Sequence, residues 1–252
     1  MNRLHIIAGI LFVAFLNNGC GSGLHPKMPE YLGAAKGLEH TGQLHAFASS
    51  QPKTGLLIIN DTTAMDSAPP LSQDQFAAFT QWVRERINQD FPITVDEIVL
   101  SQDIVPNGMV RQFVQAGEAR GLDHLVLVIL SSSETEVPDQ FPLGGVVQGG
   151  IGRGRVLGFH AENYAFAEIA ILDVTTSHIL LQADGQDWAS LDRLNVPLAS
   201  NVYPVIYRAQ GTAPIYPTEE DAHDVLRGVA ASEAMIQAIM HLKEAWTNHL
   251  PT

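Results

Sequence analysis

The stretch Gly121-Leu122-Asp123-His124-Leu125-Val126-Leu127-Val128-Ile129-Leu130 decides the fold. Its last six residues are all aliphatic, and three of them, Val126, Val128 and Ile129, are β-branched. An apolar run of that length without polar alternation describes a strand covered on both faces, at the centre of a layered sheet. Immediately upstream, residues 108 to 120 place Met109, Val110, Phe113 and Val114 at helical spacing, and Gly121 is positioned to close that helix in the left-handed conformation. Further upstream, Gly55 to Asn60 (GLLIIN) predicts a buried first strand. A helix follows from Ser72, with Gln75 placed for a capping box. Phe76, Phe79, Trp82, Val83 and Ile87 give it one apolar face, and Pro92 ends it. Ile93 to Ser101 predicts a second strand with Ile93, Val95, Ile98 and Leu100 inward. The order strand, helix, strand, helix, strand implies an α/β layer.

Downstream of the central run the pattern changes. Residues 131 to 163 are polar and then glycine-rich, with seven glycines between 144 and 158. They read as a mobile loop or a ribbon between strands. Ala165 to Val174 and His178 to Asp184 predict a hairpin across Thr175-Thr176-Ser177. Residues 186 to 217, with four prolines, read as irregular. Pro217-Thr218-Glu219-Glu220-Asp221 then opens a long terminal helix: a capping hydroxyl followed by acids at the positive dipole end. Its expected apolar face is Ala222, Val225, Leu226, Val229, Ile236, Ile239, Met240 and Trp246. That face either packs on the sheet or serves as an arm for a partner. The expected class is therefore α/β (α+β): a mixed sheet of about five strands flanked by helices, with a C-terminal β-hairpin and a long terminal helix. It forms one globular domain over residues 55–252, with a Gly-rich insertion at 142–158.

Composition supports an ordered domain. Of 252 residues, 46% are hydrophobic and 16% charged, with a mean hydropathy of +0.06, which excludes disorder over most of the length. The formal charge of −13 repels phosphate backbones, so no nucleic-acid partner is expected. A single cysteine excludes an internal disulfide framework and a cysteine-cluster zinc site.

That cysteine, Cys20, follows an N-terminal segment with its own pattern. Arg3 precedes eleven residues without a polar side chain, Ile6 to Leu16. The run is too short to span a bilayer, which takes about twenty residues. It describes a secretory signal peptide over residues 1–19. Cys20 stands directly behind it, flanked by Gly19 and Gly21, and resembles the lipobox of bacterial lipoproteins; an ordinary cleaved signal is the alternative. The resemblance implies a diacylglycerol on Cys20 and a lipid anchor in the bacterial envelope. By likeness to enterobacterial sorting, Gly21 in place of Asp implies the outer membrane, facing the periplasm. Residues 20–54 then read as the lipidated cysteine and a flexible tether, with Tyr31, Leu32, Leu44 and Phe47 available to pack on the body.

GLLIIND, the helix with Phe76, Phe79 and Trp82, ITVDEIVLS, GLDHLVLVIL and AEIAILDVTTSHILLQADG together resemble the envelope lipoproteins of the CsgG and TolB N-terminal-domain-like superfamily. The rhombotarget-type lipoproteins are the nearest likeness, through Gly121-Leu122-Asp123 and through Asp173-Val174-Thr175-Thr176 with Leu180-Leu181. The likeness covers residues 54 to 190. It implies an accessory or assembly role at the envelope.

Candidate chemistry is sparse. Arg155 stands where a G-x-G-x-x-G pattern starting at Gly150 needs glycine, and no serine sits in G-x-S-x-G. The ten histidines form no zinc motif, and His223 between Asp221 and Asp224 is explained by helix capping, so no metal or cofactor is expected. Asp61, Thr62 and Thr63 follow the first strand at its carboxyl end, where α/β sheets place ligands. They are the best place for a ligand pocket, with Asp66 and Asp103 near the same edge, and a plain strand-to-helix turn explains them equally. Tyr203, Tyr207 and Tyr216 among prolines form either a partner-binding patch or ordinary loop packing. The expected function is a non-enzymatic, lipid-anchored envelope protein that docks another envelope component. A small-ligand or nucleotide-binding module is the alternative, and a secreted hydrolase comes last.

Overall fold

A computed structural model describes residues 24–33, 52–99, 110–147, 150–195 and 202–249. In chain order these form α1 (Met28–Leu32), β1 (Thr54–Asp61), α2 (Gln73–Asp90), β2 (Val95–Val99), α3 (Val110–Glu118), β3 (His124–Val147), β4 (Gly150–Asp173), β5 (Ile179–Leu194), β6 (Val205–Arg208) and α4 (Ala222–His249). The six strands make one mixed sheet in the order β2-β1-β3-β4-β5-β6. β1 runs parallel to both β2 and β3, and the remaining pairs are antiparallel. The α/β class and the central position of residues 125–130 are as the sequence implies.

The alternation of side chains along the strands builds two cores. On one face Leu56, Ile58, Val126, Val128, Leu130, Ile169 and Ile171 pack against α2 and α4. On the other, Leu57, Leu125, Leu127, Ile129 and Leu172 pack against Phe113 and Val114 of α3 and against α1. Gly121 closes α3 with φ +62°, the left-handed geometry expected of it.

Several expectations are corrected. The sheet has six strands, because residues 205–208, read as irregular, add β6 to the edge of β5. The hairpin predicted over 165–184 is the base of two much longer strands. β4 pairs with β3 in one unbroken register, from His124 opposite Asp173 to Val147 opposite Gly150. The Gly-rich segment 142–158 is thus the far end of a β-ribbon, with residues 148–149 outside the described residues. Backbone pairing holds a ribbon together without apolar side chains, which is why its sequence carries no strand periodicity. Within the span read as a tether, Met28–Leu32 is a helix with Met28, Tyr31 and Leu32 buried. Ser72 caps α2 only through its backbone, and the capping box with Gln75 does not form. The terminal helix begins at Ala222, and Thr218 instead ties the preceding turn by accepting from the Asp221 N–H at 3.2 Å.

The buried face of α4 includes the expected Ala222, Leu226, Ile239 and Trp246 but is not the one expected throughout. Met240 is exposed, while Ala230, Ala231, Ala234 and Ala238 also face the core. These small side chains let the helix approach the sheet until its backbone meets Gly185 of β5. A Cβ on Gly185 would fall on the Ala234 carbonyl oxygen and the Ala238 amide nitrogen. Polar locks fix the helix before this contact and within it. The Arg227 guanidinium grips Glu134 of β3 through Nε at 2.7 Å and Nη2 at 3.1 Å, and Gln237 donates to Asp187 of β5 at 2.8 Å.

Gly185→Ala is expected to destabilise the protein by about 1–3 kcal/mol, because the backbones of α4 and β5 must separate to admit one methyl group. Urea denaturation of the two proteins checks this, and equal midpoints would show that the helix is not seated on β5 as described.

Candidate functional site

The first predicted position, the carboxyl end of β1, is an internal lock. Asp61 is buried, and its Oδ1 accepts from the Thr63 backbone N–H at 2.9 Å and from Thr63 Oγ1 at 2.7 Å. Its Oδ2 accepts from Tyr31 Oη at 2.7 Å. Burial alone would raise this carboxyl, but the hydrogen bonds from Tyr31 and Thr63, with the nearby Lys27 charge, hold it below the usual carboxylate range. Burial and the same carboxylate push the Tyr31 phenol well above its ordinary value. Thr62 is exposed and Asp66 lies in the following turn, while Asp103 is outside the described residues. Across the same face, the buried Glu168 of β4 accepts from the backbone N–H groups of Lys27 at 2.6 Å and Met28 at 3.0 Å. Burial raises the Glu168 carboxyl, with Asp184 and Glu30 adding to the rise, against those two hydrogen bonds. The arrangement clamps α1 onto the sheet.

Beyond Glu168, on the same face, cross-strand register sets out a different surface. Directly opposed residues of an antiparallel pair share a face. Tyr164 is opposite Trp188, Glu162 is opposite Ser190, and His160 is opposite Asp192. Ser190 in turn is opposite Tyr207 of β6. Tyr164, Glu162 and His160 therefore form one row along β4, with Trp188, Tyr207 and Asp192 beside it. The Tyr164 and Trp188 rings lie 6.5 Å apart at 36°. Trp188 remains 37% exposed and Tyr207 43% exposed.

Polar contacts thread the row. Tyr164 Oη donates to Glu162 Oε2 at 3.1 Å. His160 lies between two acids, with Nδ1 2.6 Å from Asp192 and Nε2 3.4 Å from Glu162. Burial alone would lower the His160 pKa, but the hydrogen bonds and charges of Asp192 and Glu162 overcome it and raise it. Tyr164 is raised by burial and by Glu162, and Tyr207 by burial and by the charges of Asp192 and Tyr216.

The structure brings the three predicted tyrosines to this place. Tyr203 packs its ring against Phe141 of β3, with centroids 5.3 Å apart at 44°, and its pKa is raised by burial and by the neighbouring Asp192 and Tyr207. Tyr216 follows Ile215, which pairs with Ile206 of β6, and is 58% exposed. Tyr203 packs, whereas Tyr207 and Tyr216 face outward. The sequence reading missed Tyr164, Trp188, Glu162, His160 and Asp192. Alternation of Gln186, Trp188, Ser190 and Asp192 against Asp187, Ala189 and Leu191 was the available signal, hidden when the strand was ended at Asp184.

His223 pairs with Glu134 at 2.8 Å instead of with Asp221 or Asp224. Among the described residues no group of three His, Cys, Asp or Glu side chains is placed to hold a metal ion. Nor, among them, is any helix long and apolar enough to cross a membrane. Cys20 lies outside the described residues. Chemically, the strip offers aromatic faces beside carboxylates, which attracts cationic groups through cation–π contact and ion pairing.

No family model matches the chain, and no curated protein matches it significantly. Several solved structures are similar. One is a neuraminyllactose-binding hemagglutinin homolog from Helicobacter pylori, at 8% identity and TM-score 0.38, covering 79% of this chain and 90% of that one. Another is the PelC dodecamer from Paraburkholderia phytofirmans, at 8% identity and TM-score 0.29, covering 79% and 87%. A third is the rare lipoprotein B from Shewanella oneidensis, at 12% identity and TM-score 0.26, covering 78% and 94%.

The raised folded-state pKa of His160 has a definite sign. Its contribution to stability is fully present below the unfolded value of about 6.5 and is lost as pH rises through the folded pKa. His160→Gln is therefore expected to cost about 0.5–1 kcal/mol near pH 5.5, the size of a partly exposed ion pair, and much less near pH 8.5. Urea titrations at the two pH values check this; a cost independent of pH would remove the two acids as its cause.

Proposed function

We propose that this protein is a non-enzymatic, lipid-anchored lipoprotein of the bacterial envelope, held at the outer membrane through Cys20 and acting by docking another envelope protein. The observation that carries the docking reading is the exposed aromatic pair Trp188 and Tyr207, on one sheet face beside Glu162 and Asp192. Trp and Tyr are enriched among the residues that dominate binding energy at interfaces. The surrounding carboxylates, on a chain of net charge −13, define the partner as a surface carrying Arg or Lys side chains.

The anchor reading rests on the signal-like run before Cys20 and on the cysteine's position behind it. The clamp on α1 gives it a mechanical consequence. Cys20 is seven residues from Lys27, whose amide Glu168 holds. A chain of that length extends at most about 25 Å, so acyl chains on Cys20 keep the body close to the membrane surface. Confinement of that kind raises the effective concentration of the docking face toward any membrane-bound partner. The envelope-lipoprotein likeness of residues 54 to 190 points to an accessory or assembly role.

Cys20→Ser is expected to move the protein from the membrane fraction to the soluble fraction; retention at high salt would sink the anchor. For docking, crosslinked envelope is solubilised and the partner captured with the full-length protein. Trp188→Ala with Tyr207→Ala should weaken that partner's binding at least about tenfold, and Glu162→Lys should weaken it further at low salt. A partner retained equally by all variants would place the interface elsewhere.

A further inference from the structure

The docking strip carries an ionisable group in its own row. His160 of β4 meets a different acid with each ring nitrogen. Its Nδ1 lies 2.6 Å from Asp192 Oδ1 on β5, and its Nε2 lies 3.4 Å from Glu162 Oε1. β3 places Val137 directly opposite His160, with Thr135 and Asp139 next along the same face. β6 places Val205 opposite Asp192 and Tyr207 one row away, and the Asp192 charge also acts on Tyr203. The titratable groups around His160 on this face are therefore the carboxylates of Asp192, Glu162 and Asp139 and the phenols of Tyr164, Tyr203 and Tyr207.

The two contacts of His160 are unequal. Asp192 is the nearer acid and the more enclosed one. A neutral imidazole keeps one N–H, and the hydrogen bond to a close carboxylate fixes it on that side. Nδ1 therefore holds its proton toward Asp192 in both states, and Nε2 is protonated only in the imidazolium. The proton that comes and goes with pH is the one facing Glu162.

Glu162 is also the acid best placed for a partner. Its Oε2 accepts from Tyr164, and its Oε1 is the oxygen that meets His160. It lies opposite Ser190, which shares its face with Trp188 and is itself opposite Tyr207. Such diagonal neighbours are within reach of aromatic side chains, so a cation on Glu162 lies beside both exposed rings. Arginine suits this place better than lysine, because its planar group stacks on aromatic faces while donating to a carboxylate.

We propose that the strip takes an arginine side chain of the partner on Glu162, and that His160 gates this contact, its Nε2 proton and the guanidinium competing for the same carboxylate oxygen. The proposal rests on the docking reading above and adds the partner's residue and a dependence on pH. At low pH the imidazolium occupies Glu162 and repels the guanidinium. At high pH the bare Nε2 faces the carboxylate, and Oε1 is open to the partner. The raised pKa of His160 moves this exchange above the ordinary histidine value.

Nuclear magnetic resonance of the full-length protein, titrated with N-acetyl-arginine methylamide at constant ionic strength, tests the proposal. The Trp188 indole N–H signal, assigned with Trp188→Phe, reports binding. N-acetyl-citrulline methylamide is the neutral analogue of the same shape. Saturation with a Kd below about 20 mM is expected at pH 8.5, with binding at least about threefold weaker at pH 5.5. The citrulline analogue should bind at least about fivefold more weakly than the arginine one at pH 8.5. His160→Gln should bind the arginine probe equally at both pH values, and more tightly than the natural protein at pH 5.5. Linkage is reciprocal, so the saturating probe should also lower the pKa of His160, read from its Cε1–H signal, by at least about 0.5. That measurement needs no variant. Equal affinity at the two pH values, a pH dependence that survives in His160→Gln, or a His160 pKa that does not move overturns the gate and leaves the docking face standing. Equal binding of the citrulline analogue overturns the arginine assignment. No shift of the Trp188 signal at either pH overturns both the proposal and the strip as a face for cationic partners.

Discussion

The close approach of α4 to the backbone of β5 is the constraint on which the remaining structure depends. Gly185 has no side chain, so the Ala234 carbonyl and the Ala238 amide come to rest directly on the strand. Around that point Ala230, Ala231, Ala165, Ala167 and Ala189 form a thin layer on both sides. A large side chain at any of these positions would lift the helix, whereas small ones let its full length bury apolar area against β4 and β5. The polar locks at Glu134 and Asp187 work because the helix lies close enough for Arg227 and Gln237 to reach them.

Committing one face to α4 and α2 leaves the opposite face divided. Its lower half is covered by α3 and by α1, the latter held by buried carboxylates at Asp61 and Glu168. Its upper half carries Tyr164, Glu162, His160, Trp188, Asp192 and Tyr207, which pair among themselves and stay partly exposed. The same acids serve two purposes along one strand. Glu168 is buried and satisfied by backbone amides, and Glu162, six residues away on the same face, meets solvent and a histidine. Depth in the sheet, set by which helix lies above, separates a structural carboxylate from one available to a partner.

The exposed strip lies where the apolar pattern of its strand has already ended. The strip exists because β5 continues ten residues past Asp184, beyond the stretch that the apolar pattern marks. Local rules that fail without an evident structural gain mark places where function is to be sought.

The sequence by itself determined the layered α/β class, the central strand over residues 125–130, the helices over residues 76–87 and Val110–Glu118, and the left-handed turn at Gly121. Each of these is written in short-range periodicity or in a residue's backbone preference. The signal-like run and the position of Cys20 are likewise properties of sequence alone. Tertiary structure decided the rest. The ribbon over 131–163 is held by cross-strand backbone bonds, which leave no apolar period to read. The apolar pattern marked Ala222, Leu226, Ile239 and Trp246 of the buried face of α4, but not the alanines between them, which are buried because Gly185 on the facing strand admits the helix backbone. Asp61 shows the same limit, since nothing near it in the chain announces that Tyr31, thirty residues away, closes over it. Contacts between residues distant in sequence depend on register and on helix placement, and those are settled only when the whole sheet is assembled.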